Sequence, residues 1–222
     1  MDALADLNAR LTFVRWFYCT AARPFVGLQR ECVPRSELCD DDPPDDSSKW
    51  EQATKGLEVL GQCSLFLVAK AVVDYLRQFI RLEDGSMPPL QGESQFEKLE
   101  NSLLTRTTFR WDACPVERGR IEQIILCRND FTHHPDIDSP QPQQTPGHFR
   151  KHPSSPYRDA LEKSVLMAVA ELKGEQFRDS PGSLTVTRQG LLGAISDVRQ
   201  FCAFVARQRR TSPGEAHAQP AC

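Results

Sequence analysis

The residues best suited to chemistry lie together in Ile121 to Pro135, IEQIILCRNDFTHHP. Ile121, Ile124 and Ile125 are spaced as one face of a helix, and Arg128 falls on that face, four residues after Ile124 and seven after Ile121. A guanidinium among apolar residues needs an anionic or acceptor partner, because it does not lose its charge. His133 and His134 follow, and imidazole moves protons near neutral pH. Together they suit phosphodiester chemistry, with the arginine stabilising a phosphate and a histidine exchanging protons with its ester oxygens. In an ideal helix His133 lies about 140° around from Arg128 and His134 about 120° the other way. Pro135 pushes His134 out of helical geometry, so both histidines belong to a fraying last turn from which an imidazole can swing back. Asn129 and Asp130 are placed to orient either ring. The plainer alternative is that Arg128 pairs with a core carboxylate and the histidines merely end a helix.

The segment resembles the signature of HEPN domains (higher eukaryotes and prokaryotes nucleotide-binding), an all-helical family that includes many metal-independent RNases. Their motif is an arginine, often followed by Asn, Asp or His, then a histidine after four to six residues. Arg128-Asn129 fits the first half, and both His133 and His134 fit the second. The approach is similar as well, through Phe96-Glu97-Lys98-Leu99-Glu100 and Cys114-Pro115-Val116-Glu117. The likeness covers roughly residues 50–208 and departs from the family in a long proline-rich stretch after the histidines. It implies RNA as substrate, a homodimer with two motifs facing one cleft, and no cofactor. It also implies a cytoplasmic toxin or antiviral effector restrained by an antitoxin or other regulatory protein. The rival implication is a non-catalytic nucleotide-binding or dimerisation module.

Positioning such a site requires a bundle. The pattern predicts an all-α protein of about five to six helices with an N-terminal helical extension. The divisions are residues 1–39 for the extension, 40–48 for an acidic linker, 49–210 for the HEPN-like domain and 211–222 for a disordered tail. Leu4, Leu7, Leu11, Val14, Phe17 and Tyr18 predict a first helix over Ala3 to Ala22, broken by Pro24. A long helix follows from Lys49 to Leu82, in which Gly61 and Ser64 are small enough for a neighbouring helix to come close. Further helices are predicted from Glu93 to Thr107, from Pro115 through the motif, from Tyr157 to Gly174 and from Gln189 to Arg209. Ser183 to Thr187 alternates like a short strand.

Other chemistry finds less support. His148 and His152 have the i, i+4 spacing of a helical metal pair, but Pro146, Gly147 and Pro153 around them read as loop. With no H-E-x-x-H motif, no metal is expected there. Arg150, Lys151 and His152 are instead candidates for contact with substrate phosphate. Phosphate-binding glycine loops, serine-hydrolase elbows and dinucleotide fingerprints are absent. The net charge of −3 does not suit a strongly basic nucleic-acid binder. Much of that acidity sits in Asp40, Asp41, Asp42, Asp45 and Asp46, so the body is near neutral. The eight cysteines form no C-x-x-C pair, and a reduced cytosolic chain is expected. No secretory signal and no segment of unbroken membrane-spanning apolarity is read.

Overall fold

The computed structural model describes residues 2–31, 45–84, 94–132, 146–152, 155–157 and 184–208. Among these the protein is an all-α bundle: α1 Ala3–Glu31, α2 Asp45–Asp84, α3 Gln95–Arg106, α4 Arg118–Thr132, the short α5 Pro146–Lys151 and α6 Arg188–Ala206. A single 3₁₀ turn, Trp111–Ala113, precedes α4.

Leu7, Leu11, Val14 and Tyr18 recur every three to four residues on α1 and are all buried, as an amphipathic helix on a core requires. They join one continuous core with Leu65, Val72 and Phe79 of α2, Ile121 and Ile124 of α4 and Val198 and Phe201 of α6. The segment expected as an extension therefore supplies one wall of the bundle. α1 and α2 run antiparallel. Arg10 Nη1 meets Asp74 Oδ2 at 3.2 Å at one end, and Gln29 Nε2 donates to Thr54 Oγ1 at 2.9 Å at the other.

Pro24 does not end α1, contrary to the sequence expectation. An interior proline forfeits one backbone hydrogen bond and costs about 3 kcal/mol relative to alanine. Tertiary packing offsets that cost, because the next residue, Phe25, lays its ring on α2 where Gly56 leaves room. A Cβ at Gly56 would come within 2.4 Å of the ring. On the outer face, Phe13 and Trp16 remain exposed and pack on each other at 5.9 Å between ring centroids.

α2 is the central element, packed by α1, α3, α4 and α6. Over Lys49–Arg81 it is long and apolar enough, by length and composition only, to cross a membrane, although Lys70 and Asp74 interrupt its apolar run; 56% of its most apolar 18-residue window is buried inside the protein, as in a core helix. α6 runs alongside it. Gln62 Nε2 donates to Leu184 C=O at 2.7 Å, and Tyr75 OH donates to Cys202 C=O at 3.1 Å. Residues 184–187 form an extended lead into α6 rather than the expected strand, tied by the Thr185 N–H to Tyr157 C=O at 2.8 Å. At Gly61 the chain does come close, though as this extended lead rather than the neighbouring helix expected: a Cβ there would stand 2.4 Å from the Val186 backbone oxygen. Backbone cannot yield as a side-chain tip does, so Gly61→Ala is expected to destabilise by about 1–3 kcal/mol. A shift of the urea midpoint without a change in slope is the check.

Ser94 caps α3 through a reciprocal box, its Oγ accepting from the Glu97 N–H and its own N–H donating to Glu97 Oε2, each at 3.1 Å. α4 starts at Arg118, three residues later than expected, after a turn in which the Arg120 N–H donates to Glu117 C=O. Trp111 stacks on Phe201 with ring centroids 5.4 Å apart, closing the end of the core. The helix expected from Tyr157 to Gly174 lies, beyond Tyr157, outside the described residues, as does the tail after residue 208.

Candidate functional site

α4 carries the site. Its Ile121, Ile124 and Ile125 are fully buried, which fixes the rotation of the helix and sends Arg128, four residues before its end, to the rim of the core. There Arg128 is half-buried, and its Nη1 donates to Gln95 Oε1 at the start of α3. Gln95 was not singled out by the sequence. A side-chain amide oxygen is an acceptor that suits a guanidinium N–H.

The residues after Arg128 divide. Asn129 is half-buried on the same helix. Asp130 is buried and bonded to His148 Nδ1 of α5, itself buried. Asn129 and Asp130 were expected to orient His133 or His134, which lie outside the described residues; among the described residues, the ring bonded to Asp130 is His148. The loop reading around His148 is corrected too. Pro146 is the first residue of a short helix, a position where proline's fixed φ and missing N–H favour helix initiation.

The other candidates in this stretch are held by acids. Lys151 bridges Glu97 Oε1 at 2.9 Å and Glu122 Oε1 at 3.2 Å, and His152 Nε2 lies 3.3 Å from Glu122 Oε2. Both side chains thus serve the protein's own carboxylates in this arrangement. Arg150 is in α5, with its side chain outside the described part. Glu122 is the hub that sequence reasoning missed: it is 3% exposed and also accepts from Arg118 Nη1 at 2.9 Å. Arg118 grips Glu100 with two bonds, at 2.6 and 2.7 Å, and lies over the Phe96 ring. Charges from α3, α4 and α5 therefore interlock through Glu122, Glu97 and Glu100.

Burial acts to raise the Glu122 carboxyl, but Lys151, Arg118 and His152 outweigh it and hold the group below its ordinary 4.5. His152 is held below its ordinary 6.5, because burial disfavours the charged ring more than Glu122 favours it. A histidine with a lowered folded pKa binds fewer protons than in the unfolded chain, so its contribution is full above about 6.5 and declines as pH falls. A carboxylate with a lowered folded pKa contributes above its unfolded value and loses that contribution as pH falls through the folded one. Both slopes have the same sign. Thermal stability is expected to be highest above about pH 6.5 and to fall on acidification, with Glu122→Gln flattening the lower part of the curve in a melting series.

A separate cavity of about 770 Å³ opens between α1, α2 and the start of α6, with Arg23, Arg30 and Arg188 on its lining. It shares no lining residue with the Arg128 site. Comparison with family models, with curated proteins and with solved structures finds no match.

Proposed function

We propose that this chain is a metal-independent endoribonuclease of the HEPN type, with Arg128 and His133 or His134 as its catalytic groups. The observation that carries the reading is the setting of Arg128. It sits half-buried towards the end of the isoleucine face and is hydrogen-bonded to Gln95, on a helix whose last described residue, Thr132, precedes the two histidines in sequence. The all-α architecture agrees with that family.

In the proposed reaction the ribose 2′-oxygen attacks the adjacent phosphorus and the bond to the 5′-oxygen breaks. The 2′-hydroxyl proton passes to a histidine acting as base, and the leaving oxygen takes a proton from an acid. The products are a 2′,3′-cyclic phosphate and a free 5′-hydroxyl. Arg128 stabilises the charge that builds on the phosphoryl oxygens. Two copies sharing one cleft, and a regulatory protein that restrains them, complete the proposal.

The second reading is a non-catalytic nucleotide-binding or dimerisation module. The engagement of Lys151 and His152 by Glu97 and Glu122 favours it, since those cations are then not offered to a phosphate.

The deciding experiment incubates the purified protein, in divalent-free buffer, with labelled single-stranded RNA and with the same sequence as DNA. Cleavage of RNA alone to cyclic-phosphate ends, lost in a His133→Ala/His134→Ala double variant, is the expected result. Intact RNA with folded protein at its native oligomeric state sinks the enzyme reading and leaves the binding module, measured then by RNA anisotropy.

A further inference from the structure

One group of donor side chains beside Arg128 has no part in the proposed cleavage. Cys127 and Asp130 are three residues apart on α4, a spacing that puts a thiol and a carboxylate on one face, and His148 reaches them from α5. One ligand atom from each, Sγ, a carboxylate oxygen and a ring nitrogen, all lie within 4.8 Å of one another. The three residues are 2%, 1% and 1% exposed.

We propose that Cys127, Asp130 and His148 bind a zinc-type divalent ion, with water completing the coordination. The donor chemistry selects the metal class. Thiolate, imidazole and carboxylate are the three protein ligands of zinc, while calcium and magnesium take oxygen sets. Charge balance points the same way. One thiolate and one carboxylate carry two negative charges and a neutral imidazole none, so a divalent cation leaves the buried group neutral, as a dry interior demands. On binding, the thiol proton leaves to solvent and sulfur becomes a ligand. No redox change is involved.

The consequence of such an ion is mechanical. Three donors from two helices tie α5 to α4 across the intervening residues 133–145, and α5 carries Lys151, which is paired with Glu97 and Glu122. The ion would therefore hold the charged network in place without entering the reaction.

The test uses the full chain and does not read activity. Metal content is measured as purified; the protein is then stripped and reloaded with cobalt(II), whose thiolate ligand gives a charge-transfer band. One ion per chain and a cobalt band in wild type are expected, with the band kept in Cys63→Ser and lost in Cys127→Ser. Folding of each variant is followed by circular dichroism. If Cys127→Ser does not fold, His148→Gln takes its place, with a lowered metal stoichiometry expected. Absence of the band in folded wild type, or a band unchanged by Cys127→Ser, overturns the site, and because cleavage is not the readout, failure of the site is distinguishable from failure of the RNase reading.

Discussion

Arg128→Ala is expected to lower RNA cleavage by about 10³-fold or more while the protein stays folded. Removing one preorganised donor from a developing oxyanion costs about 10²–10³ in kcat, and a charged guanidinium on a transferring phosphoryl group is worth about 10³–10⁵. The loss should fall on kcat, because charge on the phosphoryl oxygens grows between ground state and transition state. Arg128→Lys keeps the charge but not the planar two-point contact, so partial activity is expected. Folding should survive both changes. Arg128 is only half-buried and its neighbour Gln95 is at the first residue of α3, where water can replace the lost donor. The readout is single-turnover cleavage beside a urea denaturation curve. Full activity in a folded Arg128→Ala protein would remove Arg128 from the chemistry.

The largest effect on stability is expected from Leu11→Ala. Leu11 is fully buried on α1 and belongs to the same core as α2, α4 and α6. Emptying such a site costs the lost transfer energy and leaves a cavity, about 2–5 kcal/mol in all. An appended helix would give a much smaller value. A two-state urea transition with an unchanged slope separates the two cases. A loss under about 1 kcal/mol would mean that α1 docks loosely on a bundle that stands without it.

Periodicity made the helices legible. The 3–4 spacing of Leu7, Leu11 and Val14, and of Ile121, Ile124 and Ile125, names the buried faces correctly. Gly61 marks a real close approach, to the backbone of Val186 in the extended lead into α6 rather than to a helix, and Ser64 is buried. Local rules failed where distant residues decide the outcome. Pro24 reads as a breaker, but the contact of Phe25 with Gly56, thirty-odd residues away, carries α1 past it. Glu122 lies between Ile121 and Ile124 in sequence, and nothing in that pattern singles it out. It is buried because Lys151 and His152 arrive from a stretch whose path no local pattern predicts. The pairing of Asp130 with His148 was hidden for the same reason, compounded by reading the stretch around Pro146, Gly147 and Pro153 as loop when Pro146 starts a helix. At the site, then, Arg128 was legible as a residue type at a spacing, whereas its partner Gln95 and the acid hub needed three dimensions.

The antiparallel pairing of α1 with α2 also bears on how the chain is made. Synthesis runs from the N-terminus, so α1 exists before the apolar stretch Lys49–Arg81 has emerged. Each turn of α2 can lay down on a strip already waiting for it, beginning at the Gln29–Thr54 end and proceeding towards Arg10 and Asp74. The order of translation thus places α1 ahead of a helix apolar and long enough, by composition, to pass for a membrane anchor. A chain made without its first helix would present that segment bare to the ribosome's surroundings.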